Sequence, residues 1–141
     1  MLIRAISNNC PKIKWLSTQL VPEDFIYLQS LLLNCRNLRR VEFDSLYIFE
    51  DQNNDDVNIG NIGDELLDIL TKFSSKSLTD VIISGDWKYS IDAFERFFES
   101  YRGGALLFFQ IIHHDRCHIT ENHKMIVRKY IDEGMIVEAY L

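Results

Sequence analysis

All four histidines of the chain and one of its three cysteines fall in a single stretch, IIHHDRCHITENH, residues 111–123. His113, His114, His118, His123, Cys117 and Asp115 are the residue types that ligate zinc or serve as nucleophile and base. A structural zinc site needs four ligands converging tetrahedrally, usually from paired spacings such as C-x2-C or H-x3-H. Here His113 is adjacent to His114 and Cys117 to His118, and neighbours in an extended chain point apart. A helical turn would gather His114, Cys117 and His118 but leave the fourth ligand missing; His118 and His123 form another partial set. A Cys–His nucleophilic pair further needs an orienting group and a cleft. The expectation is therefore an exit loop with no metal, no cofactor and no catalytic residue. The alternatives are a small zinc-binding module, or an enzyme, using residues 113–123, and a truncated product without independent function.

The loop is defined by the elements on either side of it, and those elements repeat. NNCPKIKWLS at 8–17 and LNCRNLRRVEF at 33–43 are alike, with Cys10 and Cys35 separated by 25 positions. From each cysteine an aliphatic residue stands three positions on (Ile13, Leu38) and another three beyond that (Leu16, Val41). Leu78, Val81 and Ile83 repeat Leu38, Val41 and Phe43 after 40 residues, and Leu106, Phe109 and Ile111 repeat them after a further 28. Helix-like apolar runs precede the units: Phe25, Leu28, Leu32; then Leu66, Leu67, Leu70, Phe73; then Phe94, Phe97, Phe98, Tyr101. Each unit reads as a helix, a short turn and a short strand. Such a unit buries its apolar face only by stacking on its neighbours, strands forming a parallel sheet and helices covering one side. The pattern L-x-x-L-x-L at periods of about 20–29 residues marks leucine-rich repeats.

The 40-residue step is explained by EDQNNDDVNIGNIGDE, residues 50–65, read as a flexible acidic insert between two units. A calcium loop of EF-hand type starting at Asp51 would need Gly and Glu where Asp56 and Ile62 stand. Pro22, Glu23 and Asp24 suit the first turn of a helix. Ser90 is placed to cap an aromatic helix over 91–101, which Gly103 and Gly104 stop. Thr120 is placed to cap a last helix from Glu121 to about Glu133, carrying Met125, Ile126, Tyr130 and Ile131; Gly134 ends it and MIVEAYL forms a final strand. The expected architecture is α/β, one domain over residues 1–141 of about four to five units.

The phrases NNCPKIKWLS and LNCRNLRRVEF resemble the cysteine-containing leucine-rich repeats of fungal-type F-box proteins, where a helix ends in a Cys-x-x-Leu turn leading into the strand. KFSSKSLTDVIISG and SYRGGALLFFQIIH look like degenerate versions. The resemblance implies a short solenoid acting as the substrate-recognition region of an SCF-type ubiquitin ligase, itself non-catalytic, with a protein substrate as partner. No F-box is visible here, so a Skp1-type adaptor would bind only if an F-box lies upstream. Many such repeats place Asn or Cys three residues past the last strand Leu; Leu46, Asp86 and His114 stand there instead, which predicts irregular turns.

In this register Trp15, Arg40, Glu42, Asp80, Ile82, Phe108 and Gln110 alternate with the buried strand residues and face the open side of the sheet. Aromatic and charged residues mixed on such a face are what a protein-binding surface carries. Cys10 and Cys35 are expected to be buried structural residues under the turns. Trp87 and Tyr89 are expected either at a loop rim or tucked against a helix edge.

Bulk composition narrows the function classes. The chain is 47% apolar and 26% charged, as ordinary globular domains are. A net charge of -6 argues against general nucleic-acid binding, which depends on neutralising phosphates. Arg36, Arg39 and Arg40 make only a local basic patch, followed by Glu42 and Asp44. An odd count of three cysteines without C-x-x-C pairs predicts a reducing compartment, cytoplasm or nucleus. Arg4 and Ser7 to Asn9 interrupt any signal-like apolar run, and no stretch reaches the roughly 18 apolar residues of a membrane span.

Overall fold

The computed structural model describes residues 2–45, 62–85, 87–112 and 119–141. Five helices alternate with five strands: α1 (Leu2–Asn9), β1 (Trp15–Leu20), α2 (Phe25–Asn34), β2 (Arg40–Ser45), α3 (Ile62–Phe73), β3 (Asp80–Ser84), α4 (Ile91–Glu99), β4 (Leu106–Ile112), α5 (Glu121–Asp132) and β5 (Ile136–Tyr140). The strands form one parallel sheet in the order β1-β2-β3-β4-β5. Each helix packs on the next in sequence, α1 on α2 through α4 on α5. Consecutive parallel neighbours throughout are what helical crossovers on one side of a sheet produce.

The strand pairing places the residues of the sequence register side by side. Val41 pairs with Val81 and then Val81 with Phe109; Phe43 pairs with Ile83 and then Ile83 with Ile111. Leu16 pairs with Val41 in the same row. These residues point into one core with Leu28, Leu31, Leu66, Leu70, Phe94 and Phe98 of the helices. A fifth unit joins them, since Leu106 pairs with Ile136.

The turns before the first three strands are built the same way. The amide of Ile13 donates to the carbonyl of Cys10, that of Leu38 to Cys35, and that of Leu78 to Ser75, at 3.2–3.3 Å. Ser75 thus takes the position of the cysteine in the third unit. The turns also stack. The Lys14 carbonyl accepts from the amides of Arg39 and Arg40, Arg39 from Thr79 and Asp80, and Thr79 from Leu107 and Phe108, all within 3.1 Å. Buried backbone groups in these tight turns are satisfied by the neighbouring unit. The Cys35 thiol donates to the Cys10 carbonyl at 3.3 Å.

Most of the predicted caps are present. The Ser90 hydroxyl accepts from the Ala93 amide at 3.1 Å, and Asp64 of α3 accepts from the Ser90 amide at 2.7 Å. Gly103 and Gly134 close α4 and α5 with φ of 86° and 80°, values that glycine adopts without steric cost. Pro22–Asp24 form the expected first helical turn, a 3-10 turn that runs directly into α2 at Phe25. Two expectations are corrected. The predicted insert lies outside the described residues up to 61, but Ile62, Gly63, Asp64 and Glu65 are the first turn of α3, where two carboxylates complement the helix dipole. Cys10 is exposed, because it belongs to the first unit and no described unit packs on its outer side. Of the two places expected for Trp87 and Tyr89, the structure shows the tucked one: both are buried, and the Trp87 indole donates to the Ser84 carbonyl at 3.0 Å and stacks on Phe25 of α2 at 6.0 Å. Leu46, Asp86 and His114, the predicted strand-exit positions, lie outside the described residues.

Gly63 admits no side chain. A Cβ there would stand 2.5 Å from the Tyr89 ring and press on the Lys88 carbonyl. Gly63→Ala is expected to cost about 1–3 kcal/mol through overpacking, read as a lower denaturant midpoint with an unchanged slope.

Candidate functional site

The face of the sheet turned away from the helices carries three rows of side chains. One row runs Trp15, Arg40, Asp80, Phe108 and Glu138 across the five strands; the next runs Ser17, Glu42, Ile82, Gln110 and Tyr140. A third holds Gln19, Asp44, Ser84 and Ile112. All seven residues singled out from the sequence therefore stand on one face, in two adjacent rows. Parallel pairing sets them at the sheet spacing of about 4.8 Å between strands.

Arg40 organises the first row. Its guanidinium lies 6.0 Å from the Trp15 ring centroid and 5.8 Å from that of Phe108, within range of cation–π attraction to both. It also bonds Glu42 at 3.0 Å and reaches Asp80 at 3.7 Å. Asp80 in turn accepts from the Thr79 hydroxyl at 3.1 Å. These partly exposed ion pairs contribute little to stability; their effect is to hold the Arg40 head group between Glu42 and Asp80. Trp15 remains 72% exposed although it is the largest side chain of the surface. Ile82 behaves differently: at 8% exposure it is buried, yet it stands outside the helix-side core. It occupies the middle strand with Glu42 and Gln110 as its two row neighbours, which accounts for its low exposure.

Sequence reasoning missed the part of this surface that β5 supplies. Tyr140 is half exposed, packs its ring 5.7 Å from Phe108, and donates its hydroxyl to Glu138, a bond that raises the Tyr140 pKa. The register continues by a further 30-residue step from Leu106 to Ile136, which the strand pairing fixes.

Of the candidate ligands in the histidine-rich stretch, His123 alone is among the described residues, and it is structural. His123 is 4% exposed. Its Nδ1 accepts the Thr120 amide at 3.0 Å, and its Nε2–H donates to the Tyr89 carbonyl at 2.8 Å. The ring meets Phe94 edge-on at 4.8 Å. With both nitrogens engaged in the fold, it has no lone pair to offer a metal. His113, His114, Asp115, Cys117 and His118 lie outside the described residues. Among the described residues no group of three or more His, Cys, Asp or Glu could hold a metal ion. Burial pushes the Cys35 thiol pKa up, away from a reactive thiolate. No described helix is long and apolar enough to cross a membrane. Comparison of the chain with protein-family models, with curated proteins and with solved structures gives no match.

Proposed function

We propose that the chain is a protein-interaction module, a short leucine-rich-repeat-like solenoid that binds a partner protein on the open face of its sheet and is itself non-catalytic. The observation that carries this reading is the exposed Trp15 beside an Arg40 whose guanidinium lies within 6.0 Å of two aromatic rings. Trp, Tyr and Arg are the residues that dominate binding energy at protein interfaces, and ordering Arg40 in advance lowers the entropy lost on association. The sequential strand order and the stacked turns support the solenoid architecture. The Cys-x-x-aliphatic turns at Cys10 and Cys35 support the more specific context, substrate recognition within an F-box ubiquitin ligase in the cytoplasm or nucleus. Four carboxylates on the same face argue against a nucleic-acid partner.

Affinity capture from cell extract with the wild-type chain and with Trp15→Ala tests the reading. Removing an exposed anchor is expected to cost at least about 2 kcal/mol of partner affinity, roughly thirtyfold, while the thermal transition of the chain stays put. A captured set that does not change with Trp15→Ala, Arg40→Ala or Phe108→Ala would overturn it.

A further inference from the structure

The rows of the open face hold one cation, Arg40, against four carboxylates, Glu42, Asp44, Asp80 and Glu138. Arg40 is shared by Glu42 and Asp80. Among the described residues Asp44 accepts the Ser84 hydroxyl at 2.9 Å and Glu138 the Tyr140 hydroxyl, and neither has an ion-pair partner there. Beside Glu138, the tilted rings of Phe108 and Tyr140 stand 5.7 Å apart. Phe108 already faces one cation within the chain, Arg40.

We propose that the partner segment is basic: a Lys or Arg side chain docks against the Phe108–Tyr140 ring pair with Glu138 as its counter-ion, and a second cation of the same segment meets Asp44. This rests on the reading of the open face as the binding surface. Two carboxylates on one face without an ion-pair partner among the described residues, one of them next to an aromatic pair, match a cationic side chain in both charge and shape. Asp44 and Glu138 lie three strands and four residues apart in register, roughly 20 Å at ordinary sheet spacings, which an extended segment of about six residues spans. A chain of net charge -6 also steers a basic segment towards itself before contact.

The test is selection of a displayed random 12-residue peptide library on the full-length chain, followed by titration with the strongest synthetic peptide. Fluorescence anisotropy of the labelled peptide reads the binding. The selected peptides are expected to carry two or more Lys or Arg, and to bind about tenfold more weakly to Asp44→Asn/Glu138→Gln and at raised salt. Both substitutions are isosteric and at the surface, and an unchanged melting curve will verify the fold. Neutral or acidic peptides, or basic ones indifferent to Asp44→Asn/Glu138→Gln, overturn the basic-segment proposal; if Trp15→Ala still weakens them, the open-face reading stands. Peptides indifferent to Trp15→Ala and Phe108→Ala, or no enrichment at all, overturn the open-face reading itself.

Discussion

His123→Ala is expected to destabilise the chain by about 2–4 kcal/mol. The substitution removes the donor that satisfies the buried Tyr89 carbonyl and the acceptor that caps α5 through the Thr120 amide. It also leaves a void against Phe94. An unpaired buried polar group costs about 1–3 kcal/mol, and a cap about 1. His123→Phe separates these contributions, because it keeps a ring against Phe94 while removing both bonds; it should recover part of the loss and no more. Urea denaturation of the three proteins measures both. Equal stability of the wild type and His123→Ala would contradict the structural role assigned to this histidine.

Phe94→Ala is expected to cost more, about 3–5 kcal/mol. Phe94 is completely buried and its ring meets Tyr89, Phe98, Phe109 and His123 at centroid distances of 4.8–6.1 Å. It therefore joins α4 to β4, to the loop before α4 and to α5. Little of the void can collapse, because its walls belong to three different units. Since Phe94 and His123 touch, Phe94→Ala/His123→Ala should fall short of the sum of the single losses by about 0.5–3 kcal/mol, the range for residues in contact. Additive losses would show that the two side chains act independently.

The helix-side half of the molecule was legible because burial on a repeating sheet imposes a register. Leu38, Val41 and Phe43 recur as Leu78, Val81 and Ile83, and the paired strands place these residues side by side. A register of period two also puts the intervening residues on the opposite face, which is why Trp15, Arg40, Asp80 and Phe108 could be grouped without coordinates. Other features depended on contacts that sequence spacing does not encode. His123 reads as part of a ligand-rich run, yet its environment is set by Tyr89, 34 residues away. Cys10 and Cys35 occupy equivalent turns, but only Cys35 has a neighbouring unit beneath it. Arg40 has opposite charges two residues away in Glu42 and forty away in Asp80; its reach to Phe108, two strands over, follows only from the order β2-β3-β4. The final strand MIVEAYL is legible in the sequence, but its register is not, since Gly134 and Met135 precede Ile136 in place of the turn residues of the earlier units; the place of Glu138 and Tyr140 on the open face follows only from the pairing of β4 with β5.

The open face is the central claim, and hydroxyl-radical footprinting addresses it directly. The full chain is labelled alone and with the partner that the wild-type protein captures, and oxidation is read at three exposed residues: Trp15 and Tyr140 on the open face, and Met125 on α5. Loss of labelling at Trp15 and Tyr140 with Met125 unchanged is the predicted result. Protection of Met125 while Trp15 and Tyr140 stay fully reactive would place the partner on the helices and contradict it.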